Sequence, residues 1–210
     1  YVYLAIGDDE IGSDEDCLVD VPNAVTADAD ATDTTGGYQR GNYATLNSLD
    51  GTLTLSNGNI ESDRATASWA SNRSTIAVSS GKWYWEATPT AGSGTHYMQV
   101  GIFKEGAINS DPSSVSNGYI YNAANGKKYN NNSSASYGDS WAVGDTIGIA
   151  YDADNGNLSF YKNGVNQGAA YTGLSGTFAA IVGQYGTCTI NSNFGQMRFK
   201  YPMPSGYAAL

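Results

Sequence analysis

The stretch from Val143 to Tyr171, VGDTIGIAYDADNGNLSFYKNGVNQGAAY, constrains the fold more than any other. Ile147, Ile149 and Tyr151 alternate with small or polar residues before Asn155-Gly156, and Leu158 and Phe160 alternate after it. Side chains of a strand point to opposite faces in turn, so a period of two marks strands that bury one face. Asn-Gly tolerates positive φ at both positions, which a two-residue hairpin turn requires. A second such pair, Asn163-Gly164, follows one strand length later. This is the pattern of an antiparallel meander.

The rest of the chain reads the same way. Candidate strands run over residues 1–6, 41–46, 52–55, 66–69, 74–78, 81–87, 96–103, 119–123, 127–130, 177–182, 187–194 and 198–201. Asn57-Gly58 and Asn125-Gly126 stand as further turns. In GKWYWEA (residues 81–87), Trp83 and Trp85 share one face, and Tyr84 and Glu86 the other. Trp83, Trp85 and Phe160 are assigned to the core. Val100, Ile102 and their same-face neighbours also suit it. The tract NNNSSAS at 130–136 reads as a polar loop. Every helical candidate breaks at Gly, Pro or an Asn/Ser cluster.

With 210 residues the chain suits one β-sandwich plus an extension. Its net charge of −10 speaks against nucleic acid, since phosphate contacts need clustered Lys and Arg. Much of the acid precedes residue 34. Asp8, Asp9, Glu10, Asp14, Glu15 and Asp16 form one run, and Asp28, Asp30 and Asp33 another. Both read as solvated loops. Asp152 and Asp154 fall in a hairpin turn, because the spacing that follows fails the calcium-loop pattern. No metal site or cofactor is expected. No apolar run reaches membrane-spanning length, so no membrane insertion is expected. Cys17 and Cys188, the two cysteines, read as separate small buried residues. The single histidine, His96, has no readable catalytic partners, and no carboxylate pair sits in an apolar setting. The expectation is a protein that is not an enzyme.

Five motifs in order resemble the SPRY (B30.2-like) family. They are GKWYWEA at 81–87, VGIF at 100–103, GYIYNAANGKKYN at 118–130, the 143–171 block, and NFGQMRFKYPMPSGYAAL at 193–210. The resemblance implies an all-β, concanavalin A-like antiparallel β-sandwich of jelly-roll type, carrying an extended N-terminal arm. It implies partner binding through loops rather than chemistry. It also implies a structural role for Glu86, as an acceptor of hydrogen bonds from neighbouring strands.

Upstream, DVPNAVTADAD and GGYQRGNYATLNSLDGTLTLSNGNIE resemble a segment found before SPRY-like domains in virion proteins of tailed phages, with Ser48 where that pattern has Pro. The expected division is 1–22, an N-terminal strand and acidic linker; 23–73, an arm with short strands; and 74–210, the sandwich. RGNYATLN reads as an edge segment fixing the arm, with Tyr43 and Leu46 as anchors. Arg40 either pairs with nearby acid or is solvated. The resemblance implies a virion surface protein of a tail fibre, tail tip or head fibre. Its partners would be other virion subunits, in a homo-oligomer, and a host surface glycan or receptor. In one alternative, a structural subunit assembles by donating the strand YVYLAI, in which Tyr1, Tyr3, Leu4 and Ile6 form the assembly arm. In another, a cellular adaptor recognises a peptide.

By position, the loops at 90–97, 105–118, 123–140 and 166–175 are the binding candidates. Tyr119, Tyr121, Tyr129, Tyr137 and Trp141 gather around the hairpin at 118–141, with Lys127, Lys128 and Asn131 among them. Rings flanked by amides suit sugar stacking and hydroxyl recognition, and the two lysines suit an anionic group. The same rings, at strand positions, equally suit a core.

Overall fold

A computed structural model describes residues 42–92 and 97–210. The strand expected over residues 1–6, with Tyr1, Tyr3, Leu4 and Ile6, lies outside the described residues. So do the acidic runs, Cys17, Arg40 and His96.

The strands are β1 (Leu46–Gly51), β2 (Thr54–Ser56), β3 (Glu61–Arg64), β4 (Trp69–Val78), β5 (Lys82–Gly92), β6 (Tyr97–Lys104), β7 (Gly118–Asn122) and β8 (Lys127–Asn130). They continue with β9 (Ser133–Ser136), β10 (Ile147–Asp152), β11 (Asn157–Lys162), β12 (Val165–Tyr171), β13 (Phe178–Tyr185), β14 (Cys188–Asn193) and β15 (Ala208–Ala209). One 3-10 turn, Pro112–Ser114, lies between β6 and β7. Two sheets form a sandwich. The first runs β1-β4-β13-β6-β7-β8-β9, and the second β12-β11-β10-β5-β14-β3-β2, with β15 added beside β5. All pairings are antiparallel except β15 with β5. This is the all-β sandwich that the alternation predicts.

The meander forms as the alternation predicts, with Ile149 opposite Phe160 and Tyr151 opposite Leu158, a register two residues away from the one a two-residue turn at Asn155-Gly156 would set. These residues point inward with Trp85, Val100, Ile102, Phe178 and Ile190 to make the main core. The turns divide. Asn163-Gly164 is the expected two-residue hairpin, with φ of 51° and 79° between the paired Lys162 and Val165. Asn155-Gly156 instead closes a four-residue loop between the paired Asp152 and Asn157, and only Gly156 is left-handed. The cause is Asp152, whose carboxylate accepts from the Asn155 backbone and side chain and pairs with Lys82 at 3.1 Å. Burial pushes this carboxyl upward in pKa, but those contacts outweigh it and hold it below the usual range.

Both sheets are also covered on their outer faces. On the second sheet, Tyr84 and Glu86 of β5 turn away from the main core, yet they are as buried as Trp85. The segment 199–201 lies over them. Phe199 packs edge-on against Tyr84, and the Lys200 and Tyr201 amides donate to Glu86 at 2.8 and 3.0 Å. Residues 198–201 are therefore a strap and not the expected strand. Glu86 accepts from that strap and from Tyr84, not from neighbouring strands. On the first sheet, Ile108 and Val115 of the 105–117 loop pack on Phe103, Ile120 and Ile181.

The described end of the arm is fixed as expected. Leu46 is fully buried, and Tyr43 packs on the core. Ala44 donates its amide to the Leu210 carbonyl at 2.7 Å, joining the two ends of the sandwich. The tract at 130–136 departs from expectation. Asn131 and Asn132, with φ of 53° and 58°, make a two-residue hairpin turn, and Ser133–Ser136 forms the edge strand β9.

Candidate functional site

Of the eight residues expected to form the loop surface, most belong to the packing. Tyr121 and Trp141 are 0% and 2% exposed, which corrects their assignment to a ligand surface. Tyr121 stacks with Tyr137, Trp141 and Phe160 at 5.1–6.0 Å, and its hydroxyl donates to the Asp139 carbonyl. Tyr137 bridges the sandwich, donating to the Gly168 carbonyl at 2.7 Å and accepting from the Phe160 amide at 3.1 Å. Burial pushes its hydroxyl up to about 12, against the pull of that amide. Tyr119 packs edge-on to Tyr171 and Phe178. Lys128 reaches across to the Ala170 carbonyl, over the Tyr171 ring. Lys127 is half-buried, and Asn131 is exposed in its turn. Only Tyr129 joins the groove described next.

That groove lies on the outer face of the first sheet. Strand alternation sends Tyr97 and Gln99 outward from β6, opposite Met98 and Val100. Tyr185 of β13 pairs in register with Trp69 of β4 on one side and Tyr97 on the other. The three rings form a row of tilted and edge-on contacts at 5.3–6.3 Å. One step along the sheet, Gly183 stands beside Gln99, which is opposite Asn122 of β7. A Cβ on Gly183 would meet Pro112 at 3.0 Å, and one on Gly118 would fall 1.8 Å from the Pro112 carbonyl oxygen. These two glycines let the 105–117 loop settle on the sheet and bring Asp111 and Ser113 over Gln99.

The resulting groove, of about 280 Å³, is lined by Trp69, Tyr97 and Tyr129 and by Gln99, Asp111, Ser113, Asn122, Asn125 and Asn132, with Ala124. Gln99, Asn122 and Ser113 are 2%, 6% and 7% exposed and form its base. Gln99 donates through Nε2 to Ser113 Oγ at 3.2 Å and Asp111 Oδ1 at 3.4 Å. Its Oε1 is buried and has no donor among the described residues. A buried polar atom left unpaired is costly, so such an atom in a groove suits a site completed by a ligand. A larger depression of about 390 Å³, beside Trp141 and Ala123, has its ions already satisfied. There Lys162 donates to the Ser140 carbonyl at 2.7 Å and pairs with Asp145 at 3.5 Å.

Sequence reading names two of the loops that meet here, 105–118 and 123–140, and of the third range, 90–97, the structure brings Tyr97 to the groove. Sequence reading misses Trp69, Gln99 and Tyr185. They lie on three strands far apart in the chain, and only the strand pairing brings them together. Among the described residues no cluster of His, Cys, Asp or Glu could hold a metal ion, and no helix is long and apolar enough to cross a membrane.

Comparison with known proteins agrees with the architecture. A stretch of 147 residues is 33% identical to the E3 ubiquitin-protein ligase RKP of Arabidopsis thaliana, covering 65% of this chain and 11% of that protein. A stretch of 156 residues is 29% identical to the ATP-dependent RNA helicase DDX1 of Xenopus laevis, covering 70% of this chain and 20% of that protein. The chain thus spans only a small part of these relatives. The crystal structure of the SPRY domain of human HERC1 matches with a TM-score of 0.65 and 19% identity, over 73% of this chain and 99% of that one. That likeness concerns the fold. The family model described as the SPRY domain matches residues 82–197, more than half of the sequence. The chain belongs to the SPRY domain family, whose members serve as interaction modules.

Proposed function

We propose that this chain is a non-enzymatic binding module that holds its partner in the groove on the outer face of the first sheet. The observation that carries the reading is the juxtaposition of an aromatic row with a buried polar base in which Gln99 Oε1 has no donor among the described residues. Exposed aromatic surface beside oriented amides is what recognition sites use. The favoured setting is a virion surface, where the module adheres to a protein or glycan of the host envelope and many weak copies add by avidity. What supports that setting is the resemblance of RGNYATLN and its flanking sequence to the segment before SPRY-like domains in virion proteins of tailed phages.

A second setting, a cellular adaptor that recognises a peptide, is favoured by the plant ligase among the relatives. In both settings the groove does the binding. Trp69→Ala is expected to weaken partner capture by about 30-fold or more, as for an aromatic anchor, with little change in the melting midpoint. Capture from host envelope fractions, a glycan array and a peptide library, each with the wild type and Trp69→Ala, tests the reading and separates the settings. Undiminished capture by a folded Trp69→Ala protein contradicts the groove.

A further inference from the structure

We infer that the groove takes a cationic side chain, the guanidinium of an arginine on a partner protein. The inference rests on the groove being the binding site and specifies its chemistry.

The hydrogen-bonding capacity around the base is already largely assigned. Asn125 Nδ2 donates to Tyr129 Oη at 2.8 Å, and Asn132 Nδ2 to the Ser114 carbonyl at 2.9 Å. Gln99 Nε2 is held by Asp111 and Ser113. That pair also fixes the amide orientation, because the reversed Gln99 would set its oxygen against the Asp111 carboxylate. Asp111 Oδ1 further accepts from the Ser113 amide at 3.1 Å and the Ser113 hydroxyl at 2.6 Å. Gln99 Oε1, Asp111 Oδ2 and Asn132 Oδ1 have no donor among the described residues, and of these three Gln99 Oε1 is the one buried in the base. The nitrogen donors left are Asn122 Nδ2 and the Trp69 indole, both neutral. Among the described residues no lysine or arginine lines the groove, and the only formal charge they bring to it is the Asp111 carboxylate.

A carboxylate and a lone amide oxygen beside aromatic faces select a cation with several donors. The faces of Trp and Tyr attract positive charge, and charge-assisted hydrogen bonds are the strong ones. Guanidinium fits better than ammonium. It is planar and weakly hydrated, it stacks on rings, and its fork reaches two acceptors at once. A neutral isostere lacks the charge that Asp111 selects.

The test uses the full 210-residue chain and three probes: Nα-acetyl-arginine methylamide, its neutral citrulline counterpart, and the lysine counterpart. Binding is followed through the Gln99 side-chain amide and the Trp69 indole signals in nitrogen-correlated NMR spectra. The arginine probe is expected to shift both signals, to bind about tenfold more tightly than citrulline, and to weaken with added salt. Asp111→Asn, which keeps the Oδ1 acceptor of the turn, is expected to erase that preference. Equal binding of citrulline and arginine in the groove overturns the inference and leaves the groove reading intact. Absence of a shift at those signals with the arginine probe at about 50 mM (roughly 1.8 kcal/mol of standard binding free energy) overturns it too. Failure of the groove reading itself shows separately, as undiminished partner capture by Trp69→Ala.

Discussion

Glu86→Ala is expected to destabilise the protein by about 3–5 kcal/mol and to free the C-terminal strap from the second sheet. Glu86 is 3% exposed and takes three hydrogen bonds, from the amides of Lys200 and Tyr201 and from the Tyr84 hydroxyl. Alanine leaves the buried Tyr84 hydroxyl and the two part-buried strap amides without this acceptor, each at its own desolvation cost. For a chain of this size the melting midpoint should fall by about 10 °C or more. Exchange of the amides at 199–201 should rise first, because Glu86 and the Phe199–Tyr84 contact hold the strap there, whereas Ala208–Leu210 keeps its backbone bonds to β5 and Ala44.

Glu86→Gln separates shape from charge. Burial raises the pKa of the carboxyl, and the two backbone amides, the Tyr84 hydroxyl and Lys200 offset only part of that rise. The folded state therefore binds this proton more tightly than the unfolded chain does. The stabilisation is complete below the ordinary glutamate range and is lost as pH rises through the raised folded value. Asp145 and Asp152 have lowered pKa values and run the opposite way, losing stability as pH falls, but they are common to both proteins. The wild type should accordingly gain stability relative to Glu86→Gln as pH drops from neutral into the ordinary glutamate range. A difference in midpoint that stays flat over that interval contradicts the assignment.

The second large effect separates core from surface. Tyr121→Ala should cost about 3–5 kcal/mol, the usual range for emptying a buried aromatic site. The ring is fully buried between Tyr137, Trp141 and Phe160. Tyr121→Phe keeps the ring and loses only the hydrogen bond to the Asp139 carbonyl, a change of about 1 kcal/mol. Urea unfolding of both variants checks the pair. A Tyr121→Ala protein as stable as the wild type, but weakened in binding, would return the ring to the surface role that its sequence context suggests.

Tyr121 also shows where sequence reading stops. Alternation in TIGIAYD and NLSFYK identifies strands, because one face of each must be apolar to meet the opposite sheet. It cannot tell a second buried face from a solvated one. Gly148 and Ala150 are small because the strap's side of β10 is crowded, and a Cβ on Gly148 would meet the Tyr84 hydroxyl at 2.3 Å. The resemblance names Glu86 as an acceptor, but alternation alone does not show that its donors come from the strap. Asn131-Asn132 lacks the glycine that makes a hairpin turn legible, so β9 is hidden within a polar tract. The groove draws on β4, β6 and β13 and on a loop held down over two glycines. No local motif joins Trp69, Gln99 and Asp111. The fold is written in local periodicity, whereas the site depends on strand order.

The most direct measurement of the central claim is a hydrogen-exchange footprint of the chain with and without a ligand recovered from the capture experiment. The account predicts new protection at 97–99, 111–113, 122–125 and 129–132, and none along 165–170. Protection confined to β12, or to the depression beside Trp141, would contradict the groove as the binding site.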